Sequence, residues 1–243
     1  LLGFSGLELA LVGLIALVAG FVQGLSGFGS ALVAMPLLLQ FLPARLATPF
    51  CILMGIVITS MLSLGLRSHL DWKKIGPIFV GCIPGIAVGT YFLKTLDNEM
   101  IKRLLGLILI GYSLFKLFFD VRPRRLSRAW GVIAGFMTGA IGAAFSAGGP
   151  PTIIYTSLND WNKDEIKATL SGFFLLTGVL IAAAHAVAGI TNRKVLLLFA
   201  VGAVPVVAGT RIGSRLYNNL SHKNYLRIIF LLLLLMGLLL EFP

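Results

Sequence analysis

The sequence predicts an all-α polytopic membrane protein built from two inverted structural repeats, each a broken or re-entrant helical hairpin followed by three transmembrane helices. Three observations carry this. Hydrophobic residues make up 58% of the 243-residue chain and charged residues 12%, the composition of a protein dissolved in lipid. Uncharged runs long enough to cross, or nearly cross, the ~30 Å hydrocarbon core occupy residues 9–44, 46–66, 75–93, 129–159, 168–192, 195–210 and 228–240, with another around 104–115 flanked by Lys102, Arg103 and Lys116. The third observation is a repeat. Residues 20–36 (GFVQGLSGFGSALVAMP) return as 135–151 (GFMTGAIGAAFSAGGPP), with Gly20, Phe21, Gly24, Gly27 and Pro36 matching Gly135, Phe136, Gly139, Gly142 and Pro151 at an offset of 115.

The first repeat spans residues 1–120. Its 36-residue uncharged run 9–44 is interrupted by glycine and serine, which a simple spanning helix would replace with leucine and alanine. A short turn at Pro43 leads into the span 46–66, a polar loop 67–74 follows, and the span 75–93 carries Pro84 and Gly85 as an expected kink. A last span over 101–119 closes the repeat. The segment 121–128 is a basic linker at the midpoint, and 129–243 is the second repeat. Beyond the proline the offset becomes 121, so that Ala47-Thr48 match Ala168-Thr169, and Lys73, Gly81, Pro84 and Lys102 match Lys194, Gly202, Pro205 and Lys223.

The run 129–159 is 31 residues, or ~46 Å as one helix, whereas two crossings need nearer ~40 residues. It is too short for two spans and too interrupted for one, which points to a re-entrant or broken hairpin. Loop charge then sets orientation. With each broken pair entering and leaving on one side, the loops 67–74, 120–128, 158–167 and 211–227 share a side with net charge +8, against +2 opposite; with pairs that cross once, both sides come to +5. The positive-inside rule favours the first arrangement, with both termini outside the cytoplasmic membrane, and an odd number of crossings per half makes the repeats inverted. An eight-span parallel repeat is the alternative.

A net charge of +11 would suit nucleic acid, but the basic residues lie in short loops between apolar runs and read as topology signals, so no nucleic-acid partner is expected. Cys51 and Cys82 fall in apolar runs and form neither a disulfide framework nor a metal pattern; no metal or other cofactor is expected. Glu8 and the lack of a basic segment before the first apolar stretch argue against a cleaved signal peptide. An intramembrane enzyme would need a nucleophile with a base, or a metal cluster. His69, His185 and His222 are scattered and no Asp or Glu lies within an expected span, which argues against catalysis.

Irregular backbone survives at membrane depth only where protein or a water-filled cavity satisfies it. The two breaks, 23–30 and 138–149, are therefore the expected substrate site, approaching the midplane from opposite faces. Half-helix N-termini there expose N–H groups and partial positive charge, which suits a small anion. Gln23, Ser26, Ser30, Thr138, Ser146 and Thr152 supply polar side chains beside the backbone of Gly24, Gly27, Gly29, Gly139, Gly142, Gly148 and Gly149. For any single glycine, close helix packing is the competing reading. Arg45 and Lys167 follow the two breaks, where a cation attracts an anion or simply anchors at the interface. His185 is titratable inside a span, where it serves function or bonds a backbone carbonyl. The expected partners are a small anion and the bilayer, and a homodimer is compatible with both. Without a membrane carboxylate, a coupling proton would travel on a weak-acid substrate.

These two stretches, with Arg45-Leu46-Ala47-Thr48, Lys167-Ala168-Thr169 and the duplication, resemble the TauE/SafE family of sulfite exporters, also called the four-toluene sulfonate uptake permease family. The resemblance covers essentially the whole chain and implies a secondary carrier of sulfite, sulfoacetate or other organosulfonates, with an anion channel of the same architecture as the alternative. It extends family glycine positions to Gly24, Gly27, Gly29, Gly139, Gly142, Gly148 and Gly149; Ala144 stands where the first half has Gly29, so the two tips are expected to be unequal.

Overall fold

A computed structural model describes residues 3–65, 71–119, 126–159, 161, 163–216 and 222–241. Most of the basic linker, and parts of the loops 67–74, 158–167 and 211–227 that carry the orientation argument, lie outside these residues. The described chain is helical throughout, with no strand. The helices are α1 (Gly6–Ser26), α2 (Ser30–Leu38), α3 (Ala44–Gly65), α4 (Trp72–Thr95), α5 (Asn98–Phe118), α6 (Arg128–Phe145), α7 (Gly149–Leu158), α8 (Lys163–Val187), α9 (Arg193–Leu216) and α10 (His222–Glu241).

Polar caps start α1, α4, α5 and α9 where the loops meet them. Ser5 and Glu8 form a reciprocal capping box on α1. Asp71 caps α4 through the Lys73 N–H, Asp97 caps α5 through the Met100 N–H, and Asn192 accepts from the N–H groups of Lys194 and Val195 at the start of α9. Helix α4 runs on through Pro84 as one continuous element.

Each broken stretch is a hairpin with unequal arms. The long arms α1 and α6, of 21 and 18 residues, are apolar and long enough to cross a membrane, as are α3, α4, α8 and α9. The short arms α2 and α7, of 9 and 10 residues, reach only ~14–15 Å, about half the hydrocarbon core. In the second hairpin Thr138 meets Thr152 and Gly142 meets Gly148, the register of antiparallel arms. In the first, Gln23 pairs with Ser30.

Packing joins the halves to one another. Helix α1 lies along α9 and α6 along α4, both pairs parallel. A Cβ at Gly20 would fall 2.4 Å from the Val206 carbonyl oxygen and one at Gly24 2.5 Å from that of Thr210, while one at Gly213 would fall 2.1 Å from that of Phe21. Across α4 and α6 the same distances are 1.9 Å from Gly135 to Ile78, 2.2 Å from Gly85 to Phe136 and 2.1 Å from Gly89 to Ala140. Lipid supplies no hydrophobic drive between helices, so association rests on this backbone-to-backbone approach. Corresponding helices also pair: α3 against α8 and α5 against α10. Gly106 touches Gly237, and Tyr112 stacks edge-on to Phe230 at 5.5 Å, so α5 and α10 run antiparallel. Helices α3 and α8 do as well, because Gly178 meets Ile56 while Thr48 and His185 approach the neighbouring carbonyls of Ala144 and Ala143.

Candidate functional site

The two elbows are built differently. Helix α1 ends on Gly27 (φ 84°), and Gly29 (φ 93°) starts α2, so both flank Phe28 in the left-handed region open to glycine. The Ser26 hydroxyl donates back to the chain, 2.7 Å from the Val22 carbonyl and 2.6 Å from that of Phe28, and is spent on holding the turn. In the second hairpin the left-handed residue is Ser146 (φ 55°), and α7 starts at Gly149. Gly142, which the repeat aligns with Gly27, therefore lies inside α6, and this elbow falls four residues later in the repeat, one helical turn.

Between the elbows lies a cavity of about 90 Å³. Gln23, Gly29, Ser30, Ala31 and Leu32 line it from the first hairpin; Thr138, Gly142, Ser146, Ala147, Gly148 and Gly149 line it from the second. The remaining walls come from the crossing of α3 and α8, with Cys51, Gly55 and Thr59 facing Phe174, Thr177 and Gly178. None of the described residues lining it is charged.

Donors are concentrated on one elbow. Neither α2 nor α7 has a side-chain cap, so the N–H groups of their first turns lack intrahelical partners. On α2 these are Ser30, Ala31 and Leu32. On α7, Pro150 and Pro151 carry no N–H, which leaves Gly149. The Ser30 hydroxyl donates to Gln23 Oε1, which leaves the Gln23 amide NH₂ as a further donor. Thr59 and Thr177 donate to carbonyls of their own helices, at 2.7 Å to Gly55 and 3.0 Å to Phe173, so their oxygens remain as acceptors for water or an acidic proton.

Other residues anticipated from sequence lie beside the cavity or away from it. Gly24 and Gly139 are helix contacts, against α9 and α4. Gly27 packs on the Lys167 side-chain stem, where an added Cβ would sit 2.8 Å from Cγ. The Thr152 hydroxyl lies 2.6 Å from that of Thr138, behind the lining. Lys167 is 6% exposed, and its Nζ donates to the Gly24 carbonyl at 3.3 Å, near the C-terminal end of α1. A buried cation so close to the first elbow is unlike an interfacial anchor. Arg45 instead binds the end of α4, its guanidinium donating to the carbonyls of Leu93 at 3.4 Å and Lys94 at 2.5 Å. His185 is fully buried with Nε2 2.9 Å from the Ala143 carbonyl, which links α8 to the last turn of α6. The sequence reading missed the α3 and α8 walls. Isolated Thr59 and Thr177, each a turn or less from Gly55 or Gly178 in an apolar span, are the trace it left unused.

A family model described as "Sulfite exporter TauE/SafE" matches residues 12–240. The chain belongs to the TauE/SafE sulfite exporter family. It is 24% identical over 248 aligned residues to the "Probable sulfite/organosulfonate exporter TauE" of Cupriavidus necator, covering 98% of this chain and 96% of that protein. No solved structure matches it. With six helices among the described residues long and apolar enough to cross a membrane, this TauE/SafE member is a multi-pass membrane protein, and its two glycine-rich stretches are the hairpins that meet at the cavity.

Proposed function

We propose that this protein is a secondary carrier for small sulfur-containing anions such as sulfite or organosulfonates, bound in the cavity between the two hairpin elbows. The observation that carries this is the convergence there of two uncapped helix N-termini with Gln23, Ser30 and Thr138, in a cavity without a charged wall. A sulfite or sulfonate group offers three oxygens to such donors. Helix N-termini favour that charge without a fixed side-chain cation to trap it. Lys167 adds a buried positive charge on the approach from the first elbow. The antiparallel pairing of α3 with α8 and of α5 with α10 supports inverted repeats, and loop charge supports both termini on the outer face of the cytoplasmic membrane.

Purified protein titrated with sulfite, thiosulfate, sulfate, sulfoacetate and taurine tests the substrate class: saturable binding of sulfite or sulfoacetate is expected, and indifference to all five would overturn it. A carrier shows counterflow-stimulated, saturable uptake in proteoliposomes, whereas large unitary currents would establish the channel. Transport independent of a pH gradient would exclude a proton carried on the substrate.

A further inference from the structure

A second, larger cavity of about 490 Å³ lies between α5 on one side and the α6–α7 hairpin on the other. It is almost wholly apolar: Tyr112 and Phe115 form one wall, and Ile133, Met137 and Ile154 another. Its α6 wall is open to the surroundings, with Ile133 49% and Met137 47% exposed. The first hairpin is covered differently, because α5 and α10 both pack on its short arm α2. The groove follows α6 from Trp130 to Ile141, a length of ~16 Å. Its deep end reaches Pro150 and Pro151, the residue pair that follows cavity-lining Gly149, so groove and anion cavity share the first turn of α7 as a partition.

The other end is basic and aromatic. Trp130, 56% exposed, and Tyr155 line it. Arg128 begins α6, two positions before Trp130. From α5, Lys116 reaches Ser157 Oγ on α7 at 3.4 Å, across that end of the groove. The neighbouring Lys74 is tied to Glu165 at 3.0 Å and lies over the Trp161 ring. An elongated apolar slot with two cations and interfacial aromatic residues at one end matches a lipid tail and a negatively charged headgroup.

We propose that this groove binds an anionic phospholipid, one acyl chain lying between α5 and α6 and the headgroup phosphate held by Lys116 and Arg128. A chain filling the slot reaches the back of α7 and steadies the short arm whose other side faces the anion cavity.

The test uses the full chain carrying Trp72→Phe and Trp161→Phe, so that Trp130 is its single tryptophan, in phosphatidylcholine vesicles. Brominated phosphatidylglycerol is expected to quench Trp130 at least twofold more than the same fraction of brominated phosphatidylcholine. Lys116→Gln with Arg128→Gln should abolish that preference. So should Gly111→Leu, which fills the groove at a position where an added Cβ meets nothing within 4 Å. Equal quenching by both lipids in the parent chain overturns the proposal, as does a preference that survives Gly111→Leu. Protection of Trp130 from both lipids also overturns it and assigns the face to a second copy of the chain.

Discussion

The hydroxyl oxygens of Thr138 and Thr152 lie 2.6 Å apart and join the long and short arms of the second hairpin across a site that excludes solvent, with Thr138 3% exposed and Thr152 fully buried. Each hydroxyl is the other's partner, so truncating one strands a buried polar group at a cost of ~1–3 kcal/mol. Thr152→Val is expected to lower thermal stability in detergent, and Thr138→Val with Thr152→Val to be more stable than the two single losses sum to. A strictly additive double variant would show that the hydroxyls are not coupled.

Glycines that pack and glycines that line should separate experimentally. Gly85 has the Phe136 carbonyl 2.2 Å from where a Cβ would sit, whereas a Cβ at cavity-lining Gly55 meets nothing within 4 Å. Gly85→Ala forces α4 from α6 and should destabilise the fold by ~1–3 kcal/mol. Gly55→Leu should leave thermal stability nearly unchanged and weaken anion binding at least tenfold. Undiminished binding by a folded Gly55→Leu protein would move the site elsewhere.

The two cations that follow the breaks are expected to behave oppositely. Arg45 donates to carbonyls at the end of α4, so Arg45→Gln should cost stability, ~1–3 kcal/mol for charge-assisted hydrogen bonds, at constant anion affinity. Lys167 is buried against the first elbow. Lys167→Met should raise the Kd for sulfite about tenfold, equivalent to ~1.4 kcal/mol. Titrations of both variants beside their melting curves distinguish the roles, and an unchanged Kd in Lys167→Met would reduce that lysine to a helix cap.

Cys51 lines the cavity between the elbows, while Cys82 is packed at the α4–α6 contact with Sγ 3.0 Å from where a Cβ on Gly139 would sit. In a Cys82→Ala background, a small mercurial should modify Cys51, and saturating sulfoacetate should slow that modification several-fold. Equal rates with and without sulfoacetate would place bound substrate away from α3.

Hairpin, repeat and membrane class were legible because each leaves a mark in one dimension: charge-free runs, recurrent glycine and proline, and a constant offset. The cavity walls were not. Cys51, Gly55, Thr177 and Gly178 reach the site through the antiparallel crossing of α3 and α8, and such a crossing leaves no fixed spacing along the chain. The tips were expected to be unequal because Ala144 stands opposite Gly29, but the form of the difference was not legible: Gly142 aligns with Gly27, yet Ser146 adopts the left-handed conformation one turn later, and Pro150 and Pro151 strip donors from the second elbow. Glycine spacing alone did not distinguish Gly24, which seats α9, from Gly29, which opens the cavity; the partner helix decides that.

The pairing of α1 with α9 and of α4 with α6 sets an order of events during synthesis. Helix α1 enters the bilayer while its partner, more than 160 residues downstream, has yet to be translated, so the glycine face that will seat α9 first meets lipid or insertion machinery. Neither half completes its own interior, and a gene cut at the midpoint would yield two fragments whose long arms each find their seat only in the other.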